Sequence, residues 1–449
     1  MVNWAKKWLV VVLIAAFGAG IGTGVGIGNA IWGGVAPDGE GQAWLVFHDP
    51  QFAYQLRRTI GHTFYGGADI GECIATAHRI TEGDFESWYQ EWLKTADRVC
   101  EFADSCFDQG HLVSAREAYL RASNYYRAAE FYLHGDPSDP RILETWGKSR
   151  DCFATAAELL PFPVEAVEIP YENTTIPGYL FLVDDSGIPR PTLILHTGYD
   201  GTLEELYFDG ALAAVRRGYN CLAFEGPGQG RVIREQHITF RPDWENVVTP
   251  VVDYALTRPE VDPDRIALMG LSLGGYLAPR AAAYEHRIAA CIANSGVYDC
   301  FENVAAGFHQ SPEELKEYLT QDPSGFDEMI SQEETSNTEL RWLVEQGMWV
   351  FGVDSPHEWA LTWVDYAMKD SEGEDIAHLI TCPTLVCDSE TDRSVAGQAQ
   401  KLYDHLTCTK EYMLFTSEDA AEEHCQVGAS ALSHQHIFDW LDETFAELS

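Results

Sequence analysis

The residues with the most chemical content are Gly270-Leu271-Ser272-Leu273-Gly274, a GxSxG pentapeptide set between the apolar run Ile266 to Met269 and a helical stretch from Gly275 to Tyr284. In that setting small neighbours permit a sharp strand-to-helix turn that lifts the serine hydroxyl, and the positive end of the helix favours negative charge beside it. A serine at its ordinary pKa is a poor nucleophile, so acyl transfer through Ser272 needs a base within hydrogen-bond reach and an acid that fixes the base's tautomer. Asp392, after the strand-like run Thr384 to Cys387, is the expected acid, although Asp388 and Glu390 stand nearer the strand end. His424, between the run Tyr412 to Phe415 and the last helical segment, is the expected base. His434 and His436 compete with it, but they sit in a helix-like segment that suits a surface or capping role. A developing oxyanion needs amide donors, and the expected pair is Leu273 and Tyr199. Tyr199 belongs to the loop His196-Thr197-Gly198-Tyr199-Asp200-Gly201-Thr202, whose glycines allow close backbone approach.

These residues need a scaffold. After Pro161 strand-like runs (Val164 to Ile169, Gly178 to Val183, Thr192 to Leu195, Asn220 to Phe224, Ile288 to Ala293) take turns with helical stretches such as Trp244 to Leu256. That order implies an α/β domain with a mostly parallel sheet covered on both faces. From Asp49 to Leu160 the periodicity is helical instead. There Ser114-Ala115-Arg116-Glu117 reads as a capping box opening Ala118 to Leu133, and Tyr119, Tyr125, Tyr126 and Tyr132 read as core. An acid-rich helical insertion between Gly296 and Leu379 delays the next strand, with Ser311-Pro312-Glu313-Glu314 as a second capping signal. Inserted there, it can cover the carboxyl edge of the sheet as a lid, its Trp342, Trp349, Phe351, Trp359 and Trp363 either walling a substrate or packing the lid down. Glu225-Gly226-Pro227-Gly228-Gln229-Gly230 has neither the Lys-Ser/Thr of a phosphate loop nor dinucleotide spacing and reads as a turn. The expected divisions are 1–34, a linker 35–48, a helical domain 49–160 and a catalytic domain 161–449 containing the insertion 296–379.

The formal charge of −41, from 70 acidic and 29 basic residues, repels phosphate backbones and so excludes nucleic acid as an expected partner. The eleven cysteines lack metal-ligand spacing and lie partly in apolar runs, as reduced buried thiols would. Lys6 and Lys7 precede an uncharged, largely apolar run from Trp8 to Gly34. It is long enough to cross the roughly 30 Å hydrocarbon core, which leads to an expected membrane anchor with the catalytic part outside the cytoplasm. GxxxG spacings among its glycines can pair two such helices, so a homodimer is an expected assembly. Cleavage near Gly28-Asn29-Ala30 and secretion is the alternative.

Tyr65-Gly66-Gly67-Ala68-Asp69, Glu86-Ser87-Trp88, Glu91-Trp92, Ala115-Arg116, the 198–202 loop, the 226–230 turn, the 270–274 elbow and His424-Cys425 together set a pattern. Over residues 50 to 449 the chain resembles the α/β-hydrolase branch of FrsA-like esterases, fungal polyketide-processing hydrolases and 2,6-dihydroxypseudooxynicotine hydrolase. The resemblance implies an α/β-hydrolase fold with residues 50–160 as a cap over Ser272. In the nicotine-pathway member a glutamate in the loop after the third strand assists cleavage of a carbon-carbon bond beside a carbonyl. The matching position here holds the shorter Asp200, with Glu204 and Glu205 nearby.

The expected activity is a serine hydrolase working through an acyl-serine on an ester or related small carbonyl substrate, with no metal or organic cofactor implied. A carbon-carbon bond hydrolase, an exopeptidase using Asp200, Glu204 or Glu205 to anchor an amine, and a non-catalytic binding protein of the same fold are the alternatives.

Overall fold

Along each apolar run after Pro163 successive side chains leave on opposite faces, and this alternation builds one eight-stranded sheet with a core on each side. Leu193 and Leu195 enter one core and Ile194 the other; Cys221 and Ala223 part from Leu222 and Phe224 in the same way. The computed structural model describes residues 45–448. Its strands are β1 (Val164–Tyr171), β2 (Thr174–Phe181), β3 (Arg190–His196), β4 (Asn220–Phe224), β5 (Val261–Leu271), β6 (Ala290–Asn294), β7 (Thr384–Ser389) and β8 (Lys410–Phe415). They lie in the order β1-β2-β4-β3-β5-β6-β7-β8. β2 runs antiparallel to β1 and β4, and all other neighbours are parallel. The loops leaving β3, β5, β6 and β7 therefore share the carboxyl edge, where such sheets form ligand sites.

Among the described residues five α-helices precede the sheet: α1 (Pro50–Gly61), α2 (Ile70–Ala77), α3 (Phe85–Asp108), α4 (Leu112–Glu130) and α5 (Pro140–Glu158). α1 and α5 each begin with an aspartate cap followed by proline, Asp49-Pro50 and Asp139-Pro140, which satisfies an orphan N–H and presets φ. The Ser114 capping box is corrected: α4 starts two residues earlier at Leu112, so Ser114 lies inside the first turn. The tyrosines of this region are core, with Phe85 and Tyr132 stacked at 4.2 Å between centroids.

α6 (Leu212–Arg216), α7 (Glu245–Leu256) and α8 (Gly274–Ala282) flank the sheet, and α9 (Cys300–Gly307), α10 (Pro312–Gln321), α11 (Pro323–Glu333), α12 (Thr338–Phe351) and α13 (Pro356–Thr362) form the insertion between β6 and β7. Both halves of the Ser311–Glu314 capping box are present. α14 (Gln398–His405) and α15 (Ser430–Leu448) complete the chain.

The expected membrane anchor, and the extracytoplasmic placement built on it, are corrected to unsupported. Among the described residues no helix is long and apolar enough to cross a membrane. Residues 8–34 themselves lie outside the described residues.

Buried ion pairs join the helical layer to the sheet. Arg234 Nη2 lies 2.6 Å from Glu130 Oε1 with each side chain only 3% exposed. Burial alone would raise the Glu130 carboxyl; Arg234 and His134 outweigh it and hold it at about 2. Removing one partner leaves the other charge buried and uncompensated. Arg234→Met is expected to cost about 3–5 kcal/mol in denaturant midpoint measurements, whereas Glu130→Leu with Arg234→Met recovers most of that loss.

Candidate active site

At Ser272 the chain turns from β5 into α8 through a left-handed φ of 61°, a conformation that non-glycine residues adopt at a cost of about 1–3 kcal/mol. The turn is held by the Ser272 amide donating to Asn294 O at 3.0 Å. It needs glycine at its base, because a Cβ on Gly270 would stand 2.1 Å from Gly274 O. Lifted in this way, Ser272 Oγ lies 2.8 Å from His424 Nε2. His424 Nδ1 lies 2.7 Å from Asp392 Oδ2. A carboxylate only accepts, so Nδ1 carries the proton and the Nε2 lone pair faces the serine hydroxyl.

Asp392 Oδ1 accepts from the amides of Ser394 and Val395. Burial would lift the Asp392 carboxyl, but His424 and its hydrogen bonds hold it below the usual range. Burial likewise would lower the His424 imidazole, but the Asp392 carboxylate holds it well above its ordinary value.

The competing residues have other partners. Asp388 accepts from the Tyr412 hydroxyl at 2.5 Å, and Glu390 accepts from Ser417. His436 is exposed. The surface or capping role expected of His434 is corrected: it is 4% exposed and bonds Tyr65 Oη at 2.8 Å and Asp209 O at 3.0 Å. Its i, i+3, i+4, i+7 spacing with Ile437, Phe438 and Leu441 marks the inward face of α15, a signal already present in the sequence.

Sequence reasoning missed Ser295. Its Oγ donates to Asp392 Oδ2 at 3.0 Å and accepts from the Cys425 amide at 3.3 Å, tying the acid to the loop of the base. Ser295 and Cys425 both have left-handed φ, 60° and 53°. Tyr54 of α1 was missed as well; its hydroxyl donates to His424 O at 3.2 Å.

Ser272 and His424 open on a cavity of about 580 Å³. Tyr54 and Arg58 of α1 line one side, and Trp342, Trp359 and Trp363 of the insertion line another. Trp349 and Phe351 instead pack against His134 and Trp363. The 198–202 loop presses on the elbow: a Cβ on Gly198 would stand 2.6 Å from Leu273 N. Among the described residues no backbone or side-chain acceptor takes the amides of Leu273 and Tyr199.

The three acidic candidates part ways. Asp200 lines the cavity and accepts from Arg58 Nη1 at 2.7 Å. Glu205 lies behind it, held by Arg58 at 2.6 Å and Arg127 at 3.4 Å. Burial opposes its ionisation, yet the two arginines keep its carboxyl at about 2. Glu204 is buried away from the cavity, where desolvation and the neighbouring Glu225 push it up to about 8. His62, Glu205 and Asp209 each bring a ligand-type atom within 4.8 Å of the others. Glu205 is already paired with two arginines, so its charge is met by guanidinium groups.

A family model described as the alpha/beta hydrolase family matches residues 193–424. The chain is 37% identical to Hydrolase LUC6 of a Fusarium species over 417 residues, covering 89% of this chain and 98% of that protein. It is 35% identical to 20-hydroxy-prefusarin hydrolase FUS2 of Gibberella moniliformis over 417 residues, with the same coverage of 89% and 98%. The solved structure of 2,6-dihydroxy-pseudo-oxynicotine hydrolase superposes with a TM-score of 0.66 at 23% identity, over 85% of this chain and 94% of that one. With its elbow at the carboxyl edge of a mostly parallel sheet, the chain belongs to the alpha/beta hydrolase family and is an enzyme of that fold.

Proposed function

We propose that this enzyme is a serine hydrolase that cleaves an ester or related carbonyl compound through an acyl-serine. The observation that carries this reading is the unbroken line Ser272 Oγ, His424, Asp392, with contacts of 2.8 Å and 2.7 Å. Ser272 Oγ attacks the carbonyl carbon while His424 Nε2 takes its proton. The negative charge on the carbonyl oxygen is met by the amides of Leu273 and Tyr199. As the tetrahedral species collapses, the leaving alkoxide takes the proton from His424 and departs as an alcohol. Water then attacks the acyl-serine, with His424 as base, and releases the acid and free Ser272.

Helices α1–α5 serve as the cap and the insertion as the lid of this site, since α1 and the tryptophans of α12 and α13 line the cavity over Ser272. The aromatic wall and a volume of about 580 Å³ suit a bulky apolar acyl or alcohol part. A relative named 20-hydroxy-prefusarin hydrolase supports the hydrolase reading.

A second reading, hydrolysis of a carbon-carbon bond beside a carbonyl, rests on Asp200 facing the same cavity. The amine-anchoring role required of an exopeptidase is disfavoured, because Arg58 and Arg127 already neutralise Asp200 and Glu205 and Glu204 points elsewhere.

Turnover of p-nitrophenyl esters of rising acyl length is expected to show a length optimum, and Ser272→Ala is expected to lower kcat by about 10⁴- to 10⁶-fold. Ester turnover unchanged in Ser272→Ala would refute the acyl-serine. Absence of ester turnover alongside cleavage of a 1,3-diketone would favour the second reading.

His424 acts as a base only when unprotonated, and Asp392 holds its pKa up. kcat/KM is therefore expected to rise with pH along a limb lying above the ordinary imidazole value of about 6.5. Asp392→Asn is expected to move that limb to lower pH while cutting kcat by about 10⁴-fold. A limb that stays in place in Asp392→Asn would contradict the assignment.

A further inference from the structure

We propose that two buried glutamines, Gln229 in the 226–230 turn and Gln346 on α12, are positioning residues that aim the Tyr199 amide at the oxyanion. Three consecutive carbonyls of the loop are gripped by their side-chain amides. Gln229 Nε2 donates to Thr197 O at 2.8 Å and to Gly198 O at 3.1 Å. Gln346 Nε2 donates to Tyr199 O at 2.8 Å. The two side chains are 1% and 2% exposed, so solvent does not compete for these carbonyls.

The peptide Gly198–Tyr199 is a planar trans unit, so its C=O and N–H point in opposite directions. Fixing Gly198 O on Gln229 thereby fixes the Tyr199 N–H on the other side of the plane. Gly198 packs on Leu273 N and Ser272, which places this peptide beside the elbow. Gln346 pins the next carbonyl and so prevents the following peptide from swinging.

Each glutamine is itself held in one orientation. Gln229 Oε1 accepts from the Gly226 amide at 2.9 Å, which leaves its Nε2 toward the loop. Gln346 Oε1 lies 2.5 Å from His134 Nδ1, and His134 comes from the segment after α4 in the helical layer. The insertion adds two more contacts, Tyr199 Oη donating to Leu343 O at 2.9 Å and accepting from Trp359 Nε1 at 3.1 Å. The oxyanion loop is thus aimed jointly by a turn of the sheet, by the insertion and, through His134, by the helical layer. The glycine-rich turn has a function that its sequence alone does not show.

This inference rests on the acyl-serine reading. Its test is steady-state kinetics on an ester with Gln229→Met and Gln346→Met, which keep side-chain length and lose the donor, checked for folding by circular dichroism and melting. The expected result is a kcat lower by about 10- to 100-fold in each variant with KM within about threefold, because misaimed donors weaken the transition state more than the bound ester. The ascending pH limb set by His424 is expected to stay in place, which separates loop aiming from damage to the triad. A folded variant with kcat within about threefold of wild type, or a rise in KM alone, would overturn the proposal. If one variant does not fold, the other decides on the same criteria; if neither folds, Tyr199→Phe, which removes only the hydroxyl that bonds Leu343 O and Trp359 Nε1 and leaves the backbone amide, decides by the same kcat-against-KM split. Unimpaired turnover by Ser272→Ala would instead refute the acyl-serine reading itself.

Discussion

The left-handed turn at Ser272 is the constraint on which the other parts depend. A serine there costs backbone energy, and the turn persists because Asn294 O holds its amide and small residues crowd beneath it. The turn brings Oγ within 2.8 Å of an imidazole delivered from a loop 152 residues away. It also starts α8, with the Leu273 amide beside the nucleophile and without an acceptor among the described residues. The parallel register of β3, β5, β6 and β7 sends the loops bearing Tyr199, Ser272, Ser295 and Asp392 to the same edge. Strain at 272 is thus shared with Ser295 and Cys425, two further left-handed residues bonded to each other and, through Ser295, to the acid.

Charge organises what lies above that edge. The chain is strongly acidic overall, yet several acids around the cavity have a basic partner: Asp200 and Glu205 with Arg58, Glu205 also with Arg127, and Asp209 with His62. Desolvated charges are tolerated only when paired in this way. The matching has a chemical consequence, since the cavity offers a substrate aromatic and apolar surface on which Asp200 is already paired with Arg58. The same pairs fasten α1 and α4 over the site, so one set of contacts serves both assembly and the character of the cavity.

How much of this the sequence disclosed depended on how local the signal was. The GxSxG turn is read within five residues, and chain order with strand endings led to Asp392 and His424, which stand in contact with each other and with Ser272. β4 matches its expected bounds because all five residues are buried, whereas β5 runs five residues earlier than its apolar run, through polar Asp262 and Asp264. The Ser114 pattern misled because a capping box needs a helix boundary, and Leu112 and Val113 extend α4 past it. Ser295, Gln229 and Gln346 carried no local signal, because their partners lie 97, 32 and 147 residues away and only the folded sheet brings them together.

The central claim is a covalent acyl group on Ser272, and the most direct measurement is intact-protein mass spectrometry after mixing with a slowly deacylating ester and quenching in acid. The expected result is a mass increase equal to one acyl group, located on the peptide containing Ser272 and absent from Ser272→Ala. Turnover with no adduct under conditions where acylation outpaces deacylation, or an adduct on another residue such as Cys425, would contradict it.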